Sequence, residues 1–133
     1  MGNYLSYDQI SSILPEGFTP VKKLQRNLYK LENGSLMLFV SSKLYKGDIY
    51  WYSIFVDNIS AEGVEYICFC TGFSGVIIVP IQIIKEYAKY ADYKQYDEGN
   101  RHYIRMRNIH SQYFLYHSKK KDINITQYYF PYC

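Results

Sequence analysis

The chain has 133 residues, 48% of them apolar or aromatic and 20% charged, with a formal net charge of +3. That size and balance fit a single packed domain over 1–133 and exclude a disordered chain, which lacks the apolar surface to offset its ordering entropy. The longest apolar run, Val64 to Val79, is broken by Glu65, Thr71, Gly72, Ser74 and Gly75, so it reads as core and not as a membrane span.

Ser6-Tyr7-Asp8-Gln9 has the form of a capping box, and Ile10, Ile13 and Leu14 follow at helical spacing before Pro15-Glu16-Gly17; a short N-terminal helix is expected. From Phe18 an irregular lead-in passes into a strand at about Asn27 to Leu31. Asn33-Gly34 marks a tight hairpin, because these residues tolerate the positive φ such a turn needs. Leu36 to Val40 is the next strand, Lys46-Gly47 the next turn, and Asp48 to Val56 a third strand, with all three expected to pair antiparallel in order. Alternation divides that third strand into Ile49, Trp51, Ser53 and Phe55, assigned inward, and an equally apolar second face of Tyr50, Tyr52, Ile54 and Val56.

Asp57 to Gly63 reads as a polar loop. Val64 to Cys70 and Val76 to Val79 are strands around a glycine-bearing turn, and Pro80 opens the main amphipathic helix at about 81–91. Its inward face is Ile83, Ile84, Tyr87, Ala88 and Ala91. Asp92 to Asn100 is taken as loop, and Arg101 to Asn108 and Gln112 to His117 as strands around Ile109-His110-Ser111. Asp122 to Tyr129 brings a final aromatic segment onto the sheet. The fold expected is α+β: a strongly bent antiparallel sheet or small open barrel of about seven short strands, with one main helix and the short N-terminal one.

Chemistry-bearing motifs are sparse. Cys68 and Cys70 share a strand face and read as buried thiols, and the histidines and cysteines lack the paired spacings of a zinc site. Asp92-Tyr93-Lys94 has nuclease-like spacing but falls in the polar loop, and the three histidines have no evident nucleophile or acid partner. No phosphate loop, catalytic residue, metal or cofactor is therefore expected. Met1, Gly2 and Ser6 match the loose N-myristoylation pattern, and Asn58 and Asn124 begin glycosylation sequons; with no secretory signal in the N-terminal residues, the expected location is cytoplasmic and both sequons are ordinary loop positions.

Charge is more informative than any motif. Residues 1–100 carry a balance of −2, and residues 101–133 a balance of +5. Alternation places Arg101, Tyr103, Arg105 and Arg107 on one strand face, and Lys119, Lys120 and Lys121 follow the next strand. Arginines interleaved with an aromatic suit phosphate contact with base stacking; an ordinary solvated sheet face with a basic tail is the competing reading. Seventeen tyrosines are in keeping with an AT-rich coding sequence or with a sticky interface.

Tyr50-Trp51-Tyr52, then Tyr66 to Gly72, then Ile78-Val79-Pro80 opening a helix, then Arg101-His102-Tyr103-Ile104 resembles small α+β domains associated with prokaryotic restriction and DNA-processing proteins. The resemblance covers residues 50–104, and Thr71 and Val79 interrupt two of its motifs. It implies a nucleic-acid-binding or defence-related setting and carries no catalytic pattern across. The expected function is a non-catalytic nucleic-acid-binding domain, with DNA favoured and no membrane partner. The alternatives are a small protein-binding inhibitor or accessory protein of the phage-host conflict, or a module for a small nucleotide ligand. A homodimer is expected through Tyr50, Tyr52 and Ile54, the face with no evident cover.

Overall fold

The computed structural model describes residues 6–41, 44–45, 49–72 and 74–132. Met1 and Gly2 of the acylation pattern, the Lys46-Gly47 turn and Cys133 lie outside these residues.

Helix α1 (Tyr7–Ser11) starts where its capping box dictates: Gln9 N–H donates to Ser6 Oγ, and Ser6 N–H to Gln9 Oε1. Its Ile10 is buried. The stretch read as an irregular lead-in is a strand, β1 (Pro20–Gln25), paired with β2 (Leu28–Leu31) through a turn in which Asn27 takes φ +64°. Sequence pattern misses β1 because it is an edge strand whose residues beyond Pro20 are all exposed, so no apolar alternation marks it. At Asn33-Gly34 the expected hairpin joins β2 to β3 (Leu36–Ser41), and Gly34 supplies the positive φ.

Beyond β3 the pairing departs from the expected order. β3 runs parallel to β6 (Val64–Cys70), with Leu38 opposite Ile67 and Ser41 opposite Cys70. β6 pairs antiparallel with β7 (Gly75–Pro80), and β7 with the terminal β12 (Tyr129–Pro131). These six strands form one mixed sheet, in the order β1-β2-β3-β6-β7-β12. The third expected strand, β5 (Ile49–Ile54), lies in the other sheet. That sheet has the order β11 (Ile123–Asn124), β10 (Gln112–Leu115), β9 (Gly99–Ile109), β5 and β4 (Leu44–Tyr45), with β8 (Tyr93–Tyr96) beside β10 on the same edge of β9. The α+β class stands, but among the described residues two six-stranded sheets replace one bent sheet or open barrel of about seven strands.

Two polar segments read as loops are ordered. Val56–Ala61 is helix α2, whose Val56 and Ile59 turn onto the core while Asp57 faces out. Its Asn58, a sequon residue, donates from Nδ2 to Glu98 O at 2.6 Å and so ties α2 to the β8–β9 turn. Residues 93–96 are β8, exposed on both faces and therefore without an apolar signature. The main helix, α3 (Ile81–Ala88), is shorter than expected but buries Ile84, Tyr87 and Ala88 as its periodicity requires.

The principal core fills the space between the sheets. Tyr52, Ile54, Ile104, Met106 and Leu115 from one sheet meet Ile67, Phe69, Ile77 and Val79 from the other, with α2 and α3 closing the side. On the far face of the mixed sheet, Met37, Cys68, Cys70 and Ile78 pack under α1. β6 and β7 are thus covered on both faces, which explains their unbroken apolar character. Both thiols are free and buried as expected. Burial pushes the Cys68 thiol up, whereas the hydrogen bond from Cys68 lowers that of Cys70.

One side chain repairs the break between β8 and β10. Where neither strand reaches β9, the Arg105 N–H donates to the Tyr87 hydroxyl at 3.1 Å, and that hydroxyl donates to Tyr116 O at 2.6 Å. Burial pushes the Tyr87 phenol up, so it remains a protonated donor. Tyr87→Phe leaves both backbone groups without this partner and is expected to cost about 1–2 kcal/mol. Thermal unfolding checks it; an unchanged Tm would mean that water takes over both bonds.

Candidate nucleic-acid interface

β9 alternates as its sequence demands, with His102, Ile104 and Met106 buried and Arg101, Tyr103, Arg105 and Arg107 half-buried on the outer face. The neighbouring β5 takes the opposite assignment to the one expected. Tyr50, Tyr52 and Ile54 are buried in the core, and Trp51 is 37% exposed on the outer face. The surface from which a homodimer was expected is therefore not available, being covered by the mixed sheet. Both faces of β5 are apolar, so alternation alone had no means of choosing between them; Tyr52 is settled inside by its contact with Phe69 and its hydroxyl bond to Cys70 O.

This inversion puts the one tryptophan beside the arginine stripe. Trp51 lies opposite Arg105 across the β5–β9 ladder, and the Arg105 guanidinium sits 5.6 Å from its ring centroid. Tyr103 meets Trp51 edge to face at 5.8 Å. Toward one end, Arg101 lies over Phe55, Phe55 meets Tyr96, and Lys94 lies over Tyr96. Toward the other, Arg107 lies 4.8 Å from the Tyr116 ring centroid. The result is a band of alternating cations and rings along β9, with a hollow of about 310 Å³ between Ile49, Trp51, Arg105 and Tyr116.

The cations are not equivalent. Arg105 pairs with Asp92 at 3.2 Å and Arg107 with Asp122 at 2.5 Å, whereas Arg101 has no ion pair among the described residues. Two of the three guanidiniums are thereby held in place and partly neutralised. Lys119, Lys120 and Lys121 are exposed on the loop between β10 and β11. His117 Nδ1 accepts the Lys119 and Lys120 backbone N–H groups, Lys120 Nζ lies over Tyr90, and the loop ends at Asp122 on Arg107. The lysine loop is thus fixed at the border of the band, on the side of α3.

Sequence reasoning missed Trp51, Phe55, Lys94, Tyr96 and Tyr116 as parts of this face. His102 and His110 do not converge: His102 is buried against Tyr93 and His110 is exposed in a turn eight residues along, roughly 26 Å away in an extended strand. His102 Nδ1 and Arg107 Nε are buried without hydrogen-bond partners among the described residues. Among the described residues, no group of three or more His, Cys, Asp or Glu is placed to hold a metal ion, and no helix is long and apolar enough to cross a membrane. No protein-family model, curated protein or solved structure matches this chain.

Proposed function

We propose that the outer face of the β4-β5-β9-β10 sheet binds single-stranded nucleic acid, DNA in the first instance, without catalysing a reaction. The observation that carries the reading is the band along β9 in which Trp51, Tyr103 and Tyr116 alternate with Arg101, Arg105 and Arg107. Aromatic rings on a sheet face can stack with bases, and such stacking needs bases that are not already stacked in a duplex. Arg101 on the same strand, with Lys94 and the loop lysines at the border, supplies phosphate contacts, and the 310 Å³ hollow leaves room for a base beside Trp51. The resemblance to restriction-associated domains points to the same class of ligand.

Pairing of Arg105 and Arg107 with carboxylates limits the electrostatic share. If Arg101 and one or two of Lys94 and the loop lysines neutralise phosphates, about two or three counterions are released, and the logarithmic salt slope is about −1.4 to −2.1 for a single strand. Fluorescence polarisation of labelled oligothymidine and of a duplex, between about 50 and 200 mM salt, tests this. The single strand should bind more tightly with a slope in that range. No binding at the lower salt, or preference for the duplex, contradicts it.

A protein partner is the second reading, favoured by those same Arg105–Asp92 and Arg107–Asp122 pairs, since a partly neutralised aromatic face suits a protein interface. A stoichiometric protein that co-purifies with the chain, and is lost in Trp51→Ala, would support this reading over the first.

A further inference from the structure

The mixed sheet carries a second recess, remote in sequence from the arginine band. β3 and β6 run parallel and end side by side at Ser41 and Cys70. Because α1 is only five residues long, it leaves that end of the face partly uncovered. The opening, about 230 Å³, is bounded by Tyr7 of α1, the Arg26-Asn27 turn, Tyr29, Phe39, Ser41 and Cys70.

Its chemistry is specific. Tyr29 and Phe39 meet at right angles with centroids 5.4 Å apart, and Tyr7 leans on Tyr29 at 5.7 Å. Rings this close form a corner and not a slot, so a planar ligand would lie against them and not between them. Arg26, in the exposed turn at the mouth, has no ion pair among the described residues. Asn27, Ser41 and Cys70 belong to the part of the lining that is not aromatic. Small-molecule sites commonly span ≈300–1,000 Å³, so 230 Å³ favours a compact ligand over a dinucleotide.

We propose that this recess binds a small planar aromatic anion of the nucleoside monophosphate class, the ring against Tyr7, Tyr29 and Phe39 and the phosphate on Arg26. A guanidinium matches phosphate oxygens in two-point geometry, and the aromatic corner accepts the base face. The site is independent of the sheet face proposed for nucleic acid, sharing no residue with it.

Calorimetry and thermal shift of the intact chain with each of the four ribonucleoside monophosphates test the assignment. At least one should bind and raise Tm by several degrees at saturation. Arg26→Gln should weaken it tenfold or more, as should replacing the monophosphate by its nucleoside, and Tyr7→Ala should weaken it several-fold. Both substitutions are at exposed positions and leave the folded core intact. Trp51→Ala should leave the affinity unchanged, which separates this site from the arginine band. Absence of binding by all four nucleotides overturns the proposal. So does binding that Trp51→Ala abolishes, or binding indifferent to both Arg26→Gln and Tyr7→Ala.

Discussion

On the proposed function, Trp51→Ala is expected to weaken binding of single-stranded DNA by roughly 5- to 150-fold, the range that corresponds to about 1–3 kcal/mol for loss of one stacked base. The size follows from position. Trp51 lies at the middle of the band, flanked by Tyr103 and by the Arg105 guanidinium, and forms one wall of the hollow. Arg101→Ala should reduce affinity less and flatten the salt slope by roughly 0.7, one phosphate's worth for a single strand. Arg107→Ala should do little to the slope, because Asp122 already neutralises that guanidinium. Oligonucleotide titrations of the three variants at two salt concentrations supply the comparison, with Tm as the control for folding. An affinity unchanged by Trp51→Ala would remove the face from consideration.

Gly75→Ala is expected to lower stability by about 2–3 kcal/mol, toward the upper end of ordinary point substitutions. Gly75 pairs with Pro131, so β12 runs antiparallel directly beside it. A Cβ there would fall onto the Phe130 carbonyl oxygen and lie 2.9 Å from Pro131 Cα and 3.0 Å from the Tyr129 ring. The obstruction is mainly backbone, which has no rotamer to escape into, so β12 must move off β7. Tyr129 would move with it and loosen from Tyr113, a contact at 4.7 Å between the terminal segment and the second sheet. Gly34→Ala is the control: it has positive φ but nothing within 4 Å of the added Cβ, so it should show only the backbone cost of about 1 kcal/mol. Denaturant unfolding of both variants decides the matter. Equal losses would mean that β12 does not pack on Gly75.

Elements whose signal is local were legible from the amino acids. The Ser6–Gln9 capping box, the Asn33-Gly34 hairpin, the apolar stripe of α3 and the alternation of β9 each depend on neighbours a few residues away, and each is in place. What was hidden depends on partners distant in sequence. The parallel pairing of β3 with β6 skips over β5 and moves it into another sheet. Nothing local distinguishes the two faces of β5, since Tyr50-Trp51-Tyr52 is aromatic at every position. The exposed strands β1 and β8 bury too little to show a period, and α2 presents mostly polar residues outward. The basic half of the candidate site could thus be read from β9 alone. Its aromatic half required the β5–β9 register, and the neutralising roles of Asp92 and Asp122 required the tertiary fold.

Because the chain contains a single tryptophan, intrinsic Trp emission reports on the proposed face alone. Titration of the protein with unlabelled oligothymidine at low salt should quench that emission in a saturable manner, and added salt should restore it as the complex dissociates. Oligonucleotide that binds by polarisation while Trp51 emission stays unchanged would place the nucleic acid elsewhere on the molecule and contradict the account.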